Sequence, residues 1–173
     1  MSDLGHDIKK LGFGLMRLPK LDEKTIDVEQ TKQMVDMFMD AGFTYFDTAW
    51  AYAGSEDAIR QALVERYPRE SFQLATKNAA WINCKTKEEA HAQFETSLKQ
   101  TGAGYFDFYL LHNLGESRTE FFDRFDLWNW LVDSHGRKRA DQCIKCGKCE
   151  AVCPQHIAIR EHLDEVTAKL LAE

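Results

Sequence analysis

Residues 42–52 read Gly-Phe-Thr-Tyr-Phe-Asp-Thr-Ala-Trp-Ala-Tyr. The stretch opens on glycine, runs through a short apolar segment that stops at a carboxylate, and ends five residues later on a phenol. Phe43 to Asp47 has the aromatic and β-branched content of a strand. Upstream, Val28, Thr31, Val35 and Phe38 share one stripe, with Met34 and Met39 beside it, so Val28 to Ala41 reads as an amphipathic helix. Gly42 falls where a left-handed residue closes a helix. Downstream, Ser55 reads as the N-cap of a second helix, with Glu56 and Asp57 at its positive end and Ile59, Ala62 and Leu63 following.

The same alternation continues in both directions. Leu11 to Leu18 reads as a first strand, entered through a short hairpin from Ile8. Phe72 to Thr76 is a third strand, and Thr86 to Gln100 a helix with Ala90, Phe94 and Leu98 at spacing four. Tyr105 to Leu111 is a fourth strand, and Phe121, Phe125, Trp128 and Val132 stripe a fourth helix. Continuous apolar strands separated by helices call for a parallel sheet with right-handed crossovers. The fold class expected is α/β, a partial (half) TIM-type barrel of four βα units. In such barrels, polar residues at the carboxyl ends of strands face the catalytic mouth. Asp47 ends the second strand and Tyr52 follows in its loop, Lys77 ends the third strand, and His112 ends the fourth.

Residues 143–153 carry a separate signal: Cys-Ile-Lys-Cys-Gly-Lys-Cys-Glu-Ala-Val-Cys, with Pro154 next. Four of the five cysteines fall in this C-x2-C-x2-C-x3-C-P run, the pattern of bacterial cubane iron–sulfur ligands. Zinc is the weaker alternative, because ribbons separate two C-x2-C knuckles with a spacer. A disulfide framework belongs to small secreted chains. Cys143, Cys146, Cys149 and Cys153 are the expected metal ligands of a [4Fe-4S] cluster. In two-cluster proteins the fourth cysteine of such a run serves the other cluster, so the remote Cys84 is kept as an alternative fourth ligand. The polar text Asp133 to Arg139 marks a seam between a barrel segment, residues 1–134, and a small C-terminal iron–sulfur segment, residues 135–173.

The chain has 173 residues, 44% of them hydrophobic, enough for one ordinary domain and an appendage. A net charge of −6 with no basic face argues against a nucleic-acid partner. No apolar run is long enough to span a membrane, and the first residues lack a signal-peptide pattern. With thiolate ligands, this points to a reducing, cytoplasmic setting.

The chain resembles the aldo-keto reductase family. The resemblance is carried by Leu-Gly-Phe-Gly-Leu-Met-Arg-Leu (11–18), by residues 42–52 with Ser-Glu at 55–56, by Ala-Thr-Lys-Asn (75–78) and by Asp-Phe-Tyr-Leu-Leu-His-Asn (107–113). The tail is similar to the cluster-bearing terminus of a ferredoxin-fused branch. The resemblance implies NAD(P)H-dependent reduction of a small aldehyde or ketone. In that scheme Tyr52 is the proton donor, Lys77 and Asp47 tune it, and His112 orients the carbonyl. A phenol is a poor acid–base group at neutral pH unless a neighbouring cation stabilises its anion. Gly14, Leu15, Met16 and Asp47 match the first-half part of the family's cofactor site. Trp50 and Trp81 are read as walls of a substrate pocket or as core.

A full β/α barrel takes eight units and about 250 residues. Here the second half, with most of the dinucleotide site, is missing. The shortfall has three readings: a relic that keeps the signature, a homodimer that completes eight strands, or loss during gene assembly. The tail adds a redox partner protein to the expected partners. It also opens a rival function, a non-catalytic electron-transfer or cluster-binding module on a degenerate half barrel.

Overall fold

The computed structural model describes residues 9–115, 117–118, 125–127, 129–130, 133, 140–151, 153 and 156–170. Strands β1 (Gly12–Gly14), β2 (Tyr45–Asp47), β3 (Gln73–Asn78) and β4 (Phe108–Leu111) lie side by side in chain order, all parallel. Between them run α1 (Val28–Asp40), α2 (Ser55–Ile59) with a π turn at Arg60–Val64, the single turn α3 (Ala80–Asn83), and α4 (Lys87–Thr101). The expected α/β arrangement of four parallel strands is present.

Local chemistry explains the helix ends. Asp27 caps α1 by accepting from the Gln30 amide at 2.9 Å, and Gly42 follows the helix at φ +77°. Thr86 and Glu89 form a reciprocal capping box at the start of α4, and Gly102 closes that helix in the left-handed region at φ +63°.

Register decides which side chains meet. Phe13, Phe46 and Leu74 are cross-strand partners, as are Thr76 and Tyr109, and all five turn toward the helices. Phe38 of α1 packs its ring on Phe13 and Phe46, and Phe94 of α4 packs on Tyr109 at 4.8 Å between centroids. Phe46, Ile59, Leu63 and Leu74 are fully buried here. The other face carries Gly14, Asp47, Ala75, Lys77, Phe108 and Leu110, and Leu110 is 41% exposed.

Two expectations need correction. The first strand does not run from Leu11 to Leu18. It ends at Gly14: the Leu15 amide completes the Gly14–Asp47 pair by donating to the Asp47 carbonyl at 2.9 Å, and the chain then turns at Met16. Ser55 does not cap α2. Gly54 holds the cap position at φ +75° with no side-chain bond, and the Ser55 hydroxyl bonds Thr48 instead. Phe121, Trp128 and Val132 of the expected fourth helix, Ile8 of the expected hairpin and Ser134–Arg139 of the seam lie outside the described residues.

The chain divides into two compact units, Ile8–Phe125 and a C-terminal one from Asp126 onward. In the second, α5 (Lys148–Ala151) follows the cysteine loop and α6 (Ile159–Leu170) comes after it. The Arg160 guanidinium reaches the Glu150 carboxylate at 2.7 Å. The Lys145 ammonium pairs with Asp164 and donates to the Arg160 carbonyl at 3.1 Å. These contacts hold the loop on α6. Among the described residues, no helix is long and apolar enough to cross a membrane.

Candidate active site

The parallel register delivers Asp47 and Lys77 to neighbouring strand ends on the sheet face opposite the helices. The Lys77 ammonium donates to Asp47 Oδ1 at 2.5 Å and to the Thr48 carbonyl at 2.7 Å. The Lys77 side chain is 13% exposed and that of Asp47 30% exposed, so the pair is only partly screened by water. The same ammonium lies 4.9 Å from the centroid of the Tyr52 ring. Tyr52 in turn meets the His112 ring edge to face, with centroids 5.4 Å apart and planes at 90°. The four residues singled out in the sequence therefore come together.

His112 is fixed by its backbone. Its amide donates to the Asn78 carbonyl at 2.8 Å, and its carbonyl accepts from Trp81 Nε1 at 2.9 Å. Its Nδ1 is buried without a hydrogen-bond partner. Burial, then the nearby Lys77 charge, push the imidazole below its ordinary range, which favours the neutral ring. Trp81 lies against His112 at 6.4 Å and carries the Arg118 guanidinium over its own ring at 4.2 Å.

The Trp50 amide donates to the Lys77 carbonyl at 3.3 Å. Trp50 lines a cleft of about 480 Å³ with Cys84, Glu89 and Gln93, and none of the four residues around Lys77 lines that cleft. The Cys84 thiol takes a hydrogen bond from Gln93 at 3.2 Å, and burial pushes it up.

Of the residues matched to a dinucleotide site, Gly14 pairs with Asp47 and has open space where a side chain would begin. Leu15 is buried with its amide bonded to the Asp47 carbonyl, and Met16 is 63% exposed.

The cysteine run offers the right donor chemistry. Lys145 and Gly147 are left-handed, at φ +55° and +73°, and give the loop a tight path. Cys143 and Cys153 are half-buried free thiols, and Cys146 and Cys149 are exposed. Among the described residues, no group of three or more Cys, His, Asp or Glu side chains is placed to hold a metal ion.

Sequence reasoning missed the polar residues behind the sheet. Asn78 is buried, donates to the Ala90 carbonyl at 2.9 Å and accepts from the Ala80 amide at 2.9 Å. Thr48 with Ser55, and Thr76 with Glu56, form buried side-chain pairs. The available signal was the position of Thr76 and Asn78 on either side of Lys77.

Fold and site together define a β/α protein with an acid–phenol–ammonium–imidazole set at its strand ends. The family model for the aldo/keto reductase family matches residues 10–164, and the chain belongs to that family. It is 29% identical over 136 residues to an aldo-keto reductase of Mycolicibacterium smegmatis, covering 79% of this chain and 46% of that one. It is 28% identical over 158 residues to aldo-keto reductase family 1 member C21 of Rattus norvegicus, covering 86% and 44%. Among solved structures, an aldo-keto reductase from Klebsiella pneumoniae in complex with NADPH superposes with a TM-score of 0.57 at 26% identity, over 73% of this chain and 42% of that one. The chain spans about half the length of the relatives it matches.

Proposed function

We propose that the chain works in NAD(P)H-dependent reduction of a small aldehyde or ketone, with Tyr52 as the proton donor. The single observation that carries this is the Lys77 ammonium, tied to Asp47 at 2.5 Å and set over the Tyr52 ring at 4.9 Å, with the His112 ring edge to face on Tyr52 at 5.4 Å. The nicotinamide would supply hydride to the carbonyl carbon. As the π pair moves onto oxygen, the Tyr52 hydroxyl gives its proton to that oxygen, and Lys77 stabilises the phenolate left behind. Asp47 keeps Lys77 charged and aimed. A neutral His112 orients the carbonyl oxygen by donating a hydrogen bond. General acid catalysis of this kind is worth about 10²–10⁴-fold. Gly14, Leu15, Met16 and Asp47 would form the first-half side of the nicotinamide site.

Binding is tested by titrating NADPH against the protein's fluorescence, and turnover by loss of NADPH absorbance with a panel of carbonyl compounds. Micromolar binding, with turnover abolished in Tyr52→Phe and binding kept, is expected. Absence of NADPH binding would leave the cluster-carrying module as the better reading.

The C-x2-C-x2-C-x3-C run supports a second part of the proposal. Cys143, Cys146, Cys149 and Cys153 would hold a [4Fe-4S] cluster, a one-electron centre separate from the two-electron hydride chemistry, available to a redox partner protein. Ligation requires the loop to draw its sulfurs together. Iron and sulfide analysis of anaerobically prepared protein tests it, with loss of both expected in Cys146→Ala. A third part concerns assembly. Strands β1 and β4 lie at the two edges of the four-stranded sheet, and a second copy would supply four more strands to make the eight of a barrel. Sedimentation at several concentrations decides between monomer and dimer.

A further inference from the structure

The loop that carries Tyr52 is fastened at its base by residues outside the acid–base set. It leaves β2 after Asp47 and enters α2 at Ser55. The Thr48 and Ser55 hydroxyls meet at 2.6 Å across that base, and they are 0% and 1% exposed. Ser55 also donates its amide to the Tyr52 carbonyl at 2.9 Å. Thr48 is the residue whose carbonyl accepts from the Lys77 ammonium, and its amide donates to the Ala75 carbonyl at 2.9 Å. One buried hydroxyl pair therefore joins the start of α2 to the residue that holds Lys77.

Glu56 acts one position further on. It is 3% exposed, and its Oε1 accepts from the Thr76 hydroxyl at 2.7 Å. Thr76 precedes Lys77 in β3 and points to the opposite face. Glu56 thus grips, from the helix side, the strand whose other face presents the ammonium. Burial pushes the Glu56 carboxyl above its usual range, because a carboxylate is costly away from water. The buried Ser97 hydroxyl of α4 lies beside the same carboxyl. An acid in the first turn of a helix ordinarily sits in water beside the positive end of the dipole. Helix stability alone does not call for burying one against a strand.

We infer that Ser55 and Glu56 are positioning residues that clamp the Tyr52 loop to β2 and β3 and so keep the phenol ring over Lys77. The inference rests on the reading of Tyr52 as the proton donor for its importance, but the clamp itself is tested without substrate or cofactor.

The experiment uses the full chain with 3-fluorotyrosine in place of its five tyrosines, the Tyr52 resonance being assigned by Tyr52→Phe. Ser55→Ala and the isosteric Thr76→Val are expected to broaden or split the Tyr52 resonance. Tyr45, Tyr67 and Tyr105 should keep theirs. Glu56→Leu should reproduce Thr76→Val, and Glu56→Gln, which retains an acceptor for Thr76, should restore the parent signal. Tyr109 is the cross-strand partner of Thr76 and feels Glu56, so its resonance reports that the Thr76 and Glu56 substitutions took effect. If Ser55→Ala does not fold, Thr76→Val carries the test alone. A parent-like Tyr52 resonance in folded Ser55→Ala and Thr76→Val overturns the inference. Equal disturbance of all five tyrosines also overturns it, since that marks a general structural role. Failure to bind NADPH bears on the proposed reduction and leaves this readout untouched.

Discussion

Breaking the Asp47–Lys77 pair gives the most direct test of how the site is held. The change Lys77→Met keeps the length of the side chain and removes its charge. Asp47 then loses a 2.5 Å charge-assisted bond and the Thr48 carbonyl loses a 2.7 Å donor. Breaking a fully buried pair costs about 3–5 kcal/mol, and an exposed one contributes about 0.2–1 kcal/mol. With side chains 13% and 30% exposed, the pair falls between these limits, at about 2 kcal/mol. The lost bond to Thr48 adds about 1 kcal/mol. Lys77→Met should therefore destabilise the fold by about 3 kcal/mol. Asp47→Asn should cost about 2 kcal/mol, because the amide accepts a weaker bond. The double variant should fall short of the sum by about 2 kcal/mol, since the second change removes a partner already lost. Urea unfolding followed by far-ultraviolet circular dichroism and tryptophan fluorescence measures all four corners of the cycle. Trp50 and Trp81 both belong to the unit concerned. Single effects that add to within about 0.5 kcal/mol would refute the claim that the two groups act as one pair.

Three further outcomes are expected. Phe46 is fully buried among Phe13, Phe38 and Phe72, so Phe46→Ala should lower stability by about 3–5 kcal/mol in the same urea assay. Thr86→Ala removes one half of the capping box on α4 and should cost about 1 kcal/mol, with hydrogen exchange accelerated in the first turn of that helix and not in α1. His112 is held below its ordinary value by burial and by Lys77. The unfolded chain therefore binds its proton more readily than the folded one. The stability this represents is present above about pH 6.5. It is lost as pH falls from there through the lower folded value. His112→Gln should flatten that part of the pH–stability curve, and an unchanged curve would refute the assignment.

The sequence by itself determined the unit pattern. Periodicity, with Gly42 as a closing residue, placed α1 and α4 to within a residue or two, and in the structure Asp27, Thr86 and Gly102 cap the remaining ends through their immediate neighbours. It also read Asp47, Lys77 and His112 at carboxyl ends of strands and Tyr52 in the loop after the second, and a parallel sheet sends every carboxyl end the same way. What it did not determine depends on partners distant along the chain. The first strand stops at Gly14, where its pairing with Asp47 of β2 ends and the chain turns at Met16. Ser55 reads locally as a cap, yet its hydroxyl has a buried alternative in Thr48, which only the folding of the loop supplies. Glu56 reads as a solvated helix acid until β3 and α4 enclose it. The cysteine spacing specifies the ligand type and not the convergence of the sulfurs. Caps and periodicity are short-range properties of the backbone and so are written in the sequence. The partner of a buried hydroxyl or carboxyl is settled only when packing excludes water and decides which polar group is within reach.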